Sequence, residues 1–320
     1  MRPPFRWTRF RGGQSNPTYL VEDSHGARRV LRRKPYGTLL PSAHAIEREY
    51  RVMAALAGTG VPVPAMAHLC EDPDVIGAAF YVMAYVEGEG HTHLALPART
   101  PAFRRAVAET LVDTLAAIHG VDVAAAGLAA FGRPGGYLMR QTARWSAQYR
   151  ASETAAIPAM ERLIEALPAA LGAVPDETCL VHGDYRLDNL RFAAGEARAV
   201  AVLDWELSTL GHPLGDLAYL LMTWVFPADL RYGLADEDLD ALGLPGMEAL
   251  AARYADRTGR AVGNLDLLLA YSVFRMAAIL QGVHARGLEG NAADPAAVAM
   301  GADVPRLAVI AERLFVRAGG

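Results

Sequence analysis

The chain opens with three short β-favouring runs, Trp7 to Phe10, Thr18 to Val21 and Arg29 to Arg32, divided by Gly12-Gly13 and Ser24-His25-Gly26. Turn residues between such runs predict antiparallel hairpins. Ser42 to Leu56 then carries apolar residues at Ile46, Tyr50, Met53 and Ala57, the spacing of one face of an amphipathic helix. A further strand pair is expected, entered at Val61-Pro62-Val63-Pro64 and completed by the apolar run Ala79 to Val86. After Glu87-Gly88-Glu89-Gly90 the period changes to that of helices, with Val107, Leu111, Leu115 and Ile118 in register. Two short β-like stretches, Cys179 to Val181 and Val200 to Leu203, interrupt the helical part. Helices resume at Leu214 and run to the C-terminus with a break near Gly243 to Gly246.

Composition narrows the class of protein. At 320 residues and 52% hydrophobic composition the chain can bury a core large enough for two domains. A net charge of −4 points to no nucleic-acid partner, although the first fifty residues are locally basic. The two cysteines, Cys70 and Cys179, have neither disulfide-framework nor zinc-ligand spacing, and reduced thiols in a cytoplasmic setting are expected. The N-terminal residues carry no stretch of signal-peptide length. Uncharged runs such as Leu217 to Ala228 are too short to span a bilayer, so no membrane partner is expected. Lys34 is the one lysine, and every other fixed cation is arginine.

The candidate chemistry gathers around Val181-His182-Gly183-Asp184-Tyr185-Arg186-Leu187-Asp188-Asn189. An apolar strand delivers Asp184, and Asn189 follows it by five residues. This is the spacing by which a catalytic loop offers a carboxylate to a nucleophile and an amide oxygen to a metal. Asp184 would orient and deprotonate an acceptor hydroxyl, and Asn189 would be a neutral oxygen ligand for Mg²⁺. A second apolar strand ends at Asp204, whose carboxylate would bind the metal bridging the nucleotide phosphates. An isolated His-Gly-Asp is an ordinary turn, and a strand-ending aspartate is usually a cap. Their conjunction with Asn189 selects the catalytic reading.

These segments carry a family resemblance. LVHGDYRLDNLRF and AVLDWELSTLGHPLGDLAYLL resemble the aminoglycoside phosphotransferase family, a relative of choline and protein kinases. GGQSNPTYLV, GGYLMRQTARWSAQY and FRMAAILQGVHARG are similar to the kinase-like domain fused to some acyl-CoA dehydrogenases. The resemblance implies an α+β, protein-kinase-like two-lobed fold. Residues 1–86 would form a small β-rich nucleotide-binding N-lobe with one main helix, and residues 87–320 a larger, mostly helical C-lobe. It further implies ATP as cofactor with Mg²⁺, Asp184 as the catalytic aspartate, Asn189 and Asp204 as metal ligands, His182 as a loop organiser and Asp216 as structural support. Gly183, and Trp205-Glu206 after the metal aspartate, depart from the protein-kinase pattern. With no downstream Ala-Pro-Glu, they argue against an activation-loop switch.

In the nucleotide half, Gly13, Ser15 and Asn16 sit in a glycine-rich turn whose backbone N–H groups could approach phosphate. Val30, Arg32 and Lys34 share one strand face, so either Arg32 or Lys34 could pair the phosphates. The family resemblance favours Arg32. Glu49 falls within the apolar helical stripe, whereas Glu47 points outside it, and a carboxylate there requires a cation, for which Arg32 is the economical partner. Met83, Ala84 and Val86 look like the hinge strand facing adenine. For the acceptor, Arg140, Arg144, Arg275, His284 and Arg286 favour an anionic or neutral small molecule over a polycation, if they line the pocket. The implied acceptor is the hydroxyl of a hydroxyacyl-CoA or hydroxy acid. The alternatives are an aminoglycoside or other amino-sugar kinase and a silent nucleotide-binding module.

Overall fold

The computed structural model describes residues 1–10, 16–37, 45–230, 233–291 and 295–320. Along the chain these form β1 (Arg6–Arg9), β2 (Thr18–Glu22), β3 (Arg28–Arg33), α1 (Ile46–Leu56), β4 (Met66–Cys70), β5 (Phe80–Ala84), α2 (Pro101–His119), α3 (Tyr137–Ala151) and α4 (Pro158–Gly172). There follow β6 (Cys179–Val181), β7 (Leu190–Phe192), β8 (Ala199–Val202), β9 (Thr209–Gly211), α5 (Pro213–Leu221), α6 (Leu239–Leu242), α7 (Met247–Thr258), α8 (Leu265–Leu288) and α9 (Asp303–Arg317). The fold is mixed α+β, with the antiparallel sheet and helical region expected of a kinase-like protein.

Two compact units are present. The first comprises Met1–Thr92, Val121–Ala130 and His182–Ser208, and the second His93–Gly120, Phe131–Val181 and Thr209–Gly320. A single cut after residue 86 does not reproduce them, because the candidate catalytic segment groups with the N-terminal sheet.

In the first unit an antiparallel sheet runs in the order β1-β2-β3-β5-β4. Strand alternation gives it two faces. One carries Val21, Leu31 and Phe80, packed with Tyr19, Cys70, Ile76 and Val82. On the other, Arg32 is registered opposite Tyr81 and Val30 opposite Met83. The buried stripe of α1 consists of Ile46, Glu49, Val52, Met53 and Leu56. This helix packs against β4, β5 and the short turn Trp205–Leu207. The strand pair entered at Val61 to Pro64 consists of β4 and β5, paired antiparallel; two prolines in four residues suit an entry better than a ladder. β7 and β8 form a separate hairpin of two short strands.

The second unit is helical apart from the β6–β9 pair. Thr100 caps α2, its side chain accepting from the Phe103 N–H, and Pro101 occupies the first helical turn, where its missing N–H costs nothing. α8 packs against α3, α5 and α9. It is long and apolar enough to cross a membrane by composition, yet 72% of its most apolar window is buried within the protein. That burial accounts for its apolarity. α2, α5 and α7 enclose a polar pair of contacts, His119 Nδ1 to the Tyr254 hydroxyl at 2.6 Å and His119 Nε2 to Asp216 at 3.6 Å. Burial holds the His119 imidazole below its usual 6.5, against the pull of Asp216.

Candidate active site

The first unit assembles the loop from 182 to 189. β6 ends at Val181, and the chain turns at Gly183, which has φ of +84°. A Cβ there would lie 2.5 Å from the Leu207 carbonyl oxygen, so both conformation and space demand glycine. His182 is fully buried, and its Nε2–H donates to the Leu203 carbonyl at 2.9 Å. Its Nδ1 accepts from the Asp184 N–H at 3.3 Å, and its ring lies 4.7 Å from that of Trp205. The imidazole thereby ties the loop to the residue that follows β8.

Asp184 is half-buried. Asn189 donates through Nδ2 to the Asp184 carbonyl at 2.8 Å and to its carboxylate at 3.2 Å. With the NH₂ group committed to Asp184, the amide oxygen is the end of Asn189 suited to a cation. Arg186 places Nε 3.6 Å from the Asp184 carboxylate and 3.0 Å from Asp188. Sequence reasoning passed over Arg186, although it stands two residues from Asp184.

Asp204 follows β8 in a left-handed conformation, φ 66° and ψ 57°, one of two described non-glycine residues at positive φ. Such geometry costs about 1–3 kcal/mol and persists where the surroundings impose it. The Asp204 carboxylate meets Arg32. Its Nη2 donates to Asp204 at 2.7 Å and lies 3.6 Å from Glu206, while Nε lies 2.9 Å from Glu49. The expected Arg32–Glu49 pair is therefore present, and Lys34 pairs with Glu47 instead. The Tyr81 hydroxyl adds a 3.2 Å hydrogen bond to Glu49.

Burial opposes the charge on Arg32, but the three carboxylates prevail and hold it above its usual range. Burial also pushes Glu49 up to about 8, with Arg32 pulling the other way. Only one oxygen of Glu49 is engaged; Oε1 is buried with no hydrogen-bond partner among the described residues.

Oxygens of Glu49, Asp204 and Glu206 lie within 4.8 Å of one another. An all-oxygen donor set suits a hard divalent cation such as Mg²⁺. Glu206 is the second residue that sequence reasoning missed. It also meets buried Asn16, whose Nδ2 donates to it at 3.4 Å, so Asn16 and the Asp204 segment touch through this carboxylate. Gly13 and Ser15 lie outside the described residues.

Met83 is buried opposite Val30. The Ala84 N–H donates to the Ala65 carbonyl at 2.8 Å, which leaves its carbonyl as the backbone group that could face adenine. Val86 lies beyond the end of β5.

In the second unit Asp216 is buried beside His119. Of the expected acceptor-lining cations, Arg144 and Arg275 both stack on Trp145, at 5.2 and 5.4 Å. Arg140 instead donates to the carbonyls of Arg133 and Gly135, His284 donates through Nδ1 to the Val298 carbonyl, and Arg286 is exposed.

Comparison with known proteins defines the class to which this fold and site belong. Residues 6–260 match the model of the phosphotransferase enzyme family. The chain belongs to that family and is a small-molecule phosphotransferase of kinase-like fold. It is 47% identical over 92% of its length to acyl-CoA dehydrogenase family member 10 of Mus musculus, covering 28% of that protein. It is 42% identical to human acyl-CoA dehydrogenase family member 11 over 88% of this chain and 36% of that one. The chain thus spans about a third of the length of these relatives. A solved structure from Ralstonia eutropha, provisionally classed as an aminoglycoside phosphotransferase, superposes with a TM-score of 0.89 at 44% identity, over 99% of this chain and 94% of that one. An aminoglycoside phosphotransferase solved with AMP-PNP and hygromycin B shares the fold, with a TM-score of 0.63 at 16% identity over 96% and 93% of the two chains.

Proposed function

We propose that the chain moves the γ-phosphoryl group of ATP to a hydroxyl of a small acidic molecule, a hydroxy acid or hydroxyacyl-CoA thioester. The observation that carries this reading is the gathering of Asp184, Asn189, Asp204 and Arg32 within one unit, with Asn189 bonded to Asp184 and Arg32 to Asp204. Asp204 and the Asn189 amide oxygen would hold Mg²⁺, with Glu206 near Asp204; the ion would supply charge neutralisation at the phosphate oxygens. Arg32, kept charged by its carboxylates, would pair with phosphate through its planar fork. Gly13, Ser15 and Asn16 would approach the phosphates, and Met83 and Val86 the adenine.

Asp184 would accept the hydroxyl proton as the acceptor oxygen bonds to the γ-phosphorus. The bond from phosphorus to the β-bridging oxygen breaks, and ADP leaves with that electron pair. Arg186 holds a cation beside the Asp184 carboxylate and would help to orient it. The arginines on α3 and α8 and the similarity to dehydrogenase-linked relatives are the support for an acidic acceptor. The two free thiols suit the reducing cytoplasm.

The Ralstonia relative supports a second reading, an aminoglycoside or amino-sugar kinase. ADP release with Mg·ATP, across a panel of hydroxy acids, their CoA thioesters and aminoglycosides, separates the two. Turnover confined to the acidic members supports the proposal. Turnover confined to aminoglycosides overturns its acceptor, and ATP binding without transfer to any member overturns its chemistry.

A further inference from the structure

Within the first unit, Arg32 touches three carboxylates with one planar group. Its Nη2 hydrogen-bonds Asp204 at 2.7 Å and lies 3.6 Å from Glu206, while Nε lies 2.9 Å from Glu49. The contact with Glu49 is close without being aligned. The Arg32 Nε–H and the Glu49 Oε1 are both buried with no hydrogen-bond partner among the described residues. Glu49 is 1% exposed and the Arg32 side chain 11%, so water does little for either atom. A guanidinium and a carboxylate can meet through two parallel N–H···O bonds, and this pair does not. The fork is instead drawn toward Asp204, on which its Nη2–H is aligned.

A divalent ion held by Asp204 would sit about 2.0–2.1 Å from a carboxylate oxygen. Nη2 already stands 2.7 Å from Oδ1 of that carboxylate, so the two cations would crowd one side chain and repel each other. They are alternatives at Asp204. Arg32 also has a better-bonded place to go, because turning back onto Glu49 would align the stranded Nε–H and free an Nη edge. The unaligned Arg32–Glu49 pair and the occupied Asp204 oxygen are separate observations, and one movement of the guanidinium answers both.

We propose that Arg32 is an exchangeable counter-ion, which holds Asp204 while nucleotide is absent and shifts onto Glu49 and a phosphate oxygen when a divalent ion takes Asp204. Free divalent ion therefore binds weakly, and nucleotide phosphate and ion each strengthen the binding of the other through this side chain. The proposal deepens the metal and phosphate roles given above and rests on them.

The test measures equilibrium binding to the full chain in two arms. In the first, Mn²⁺ without nucleotide is the probe, since like Mg²⁺ it suits octahedral oxygen sites and its free form is read by EPR. Arg32→Met should bind Mn²⁺ about tenfold or more tighter than wild type, because the competing cation is gone. A folded Arg32→Met that binds Mn²⁺ no tighter than wild type overturns the proposal, and is what a purely structural arginine would give. The second arm leaves Arg32 in place and measures ATP binding in excess EDTA. Asp204→Asn should bind ATP about fivefold or more tighter than wild type, since phosphate no longer has to break a charge-assisted hydrogen bond to gain the guanidinium. Glu206→Gln removes the same charge without releasing that bond, and should show no such gain. An equal gain in both variants means general charge repulsion and overturns the exchange, as does no gain in Asp204→Asn. This arm decides the matter by itself if Arg32→Met does not fold. Wild type that binds ATP neither with Mn²⁺ nor in EDTA overturns the nucleotide reading along with the exchange; ATP binding without the Asp204→Asn gain overturns the exchange alone.

Discussion

Arg32→Lys keeps the charge of the β3 cation and removes its fork. The arginine meets Glu49 through Nε at 2.9 Å and Asp204 through Nη2 at 2.7 Å, two different edges of one planar group. A lysine ammonium is a single point of charge and can hold only one of these carboxylates at contact distance. Glu49, 1% exposed, cannot turn to water, and the Arg32 side chain is itself only 11% exposed, so solvent screens the loss weakly. One hydrogen bond to a charged group contributes about 1.5–3 kcal/mol, which is the destabilisation expected. Urea unfolding should show a lower midpoint with an unchanged slope. Arg32→Met should cost more, about 3–5 kcal/mol, because it strands a buried carboxylate. Its deficit should shrink as pH falls, since burial already pushes Glu49 up to about 8 and a proton relieves the stranded charge. A lysine variant within about 0.5 kcal/mol of wild type, or a methionine variant no worse than the lysine one, would refute the argument that two-edged contact holds Arg32, Glu49 and Asp204 together.

Three further outcomes are expected. Gly183→Ala forces a side chain into left-handed backbone 2.5 Å from the Leu207 carbonyl, and should cost about 1–3 kcal/mol in urea unfolding together with most turnover; wild-type stability would contradict that geometry. His119 has a folded pKa held below its unfolded 6.5, so its contribution is present above that value and is lost as pH falls through and below it. His119→Gln should accordingly flatten the acid limb of the stability profile, and an unchanged slope below 6.5 would show that His119 is not held neutral. Glu206→Gln weakens the carboxylate contacted by both Asn16 and Arg32, and should raise the KM for ATP more than it lowers kcat; a pure kcat effect would deny it a positioning role.

The parts of the site that could be read in the sequence were those governed by local rules. Spacing tied Asp184 to Asn189, strand termination singled out Asp204, and helical angle chose Glu49 over Glu47. Arg32 and Lys34 could not be separated by alternation. What separates them is that β3 ends at Arg33, so that Arg32 keeps its sheet register opposite Tyr81 while Lys34 turns to Glu47. Glu206 escaped notice because it lies in a single irregular turn, where no periodicity gives a direction. β7 and β9, three residues each, are too short to show any. The meeting of Arg144 and Arg275 on Trp145 depends on how α3 packs against α8, and sequence distance carries no information about that. α8 has little amphipathic contrast because most of its circumference is buried.

The central claim is that Asp184 takes the acceptor proton during phosphoryl transfer from ATP. The direct measurement is ³¹P NMR of Mg·ATP with the most active acceptor of the panel, for wild type and Asp184→Asn. The account predicts a phosphate-ester resonance growing with ADP in wild type, and its rate falling by about 10²–10⁴-fold in the variant while ATP affinity is retained. A phosphate ester formed at the wild-type rate by Asp184→Asn would contradict it.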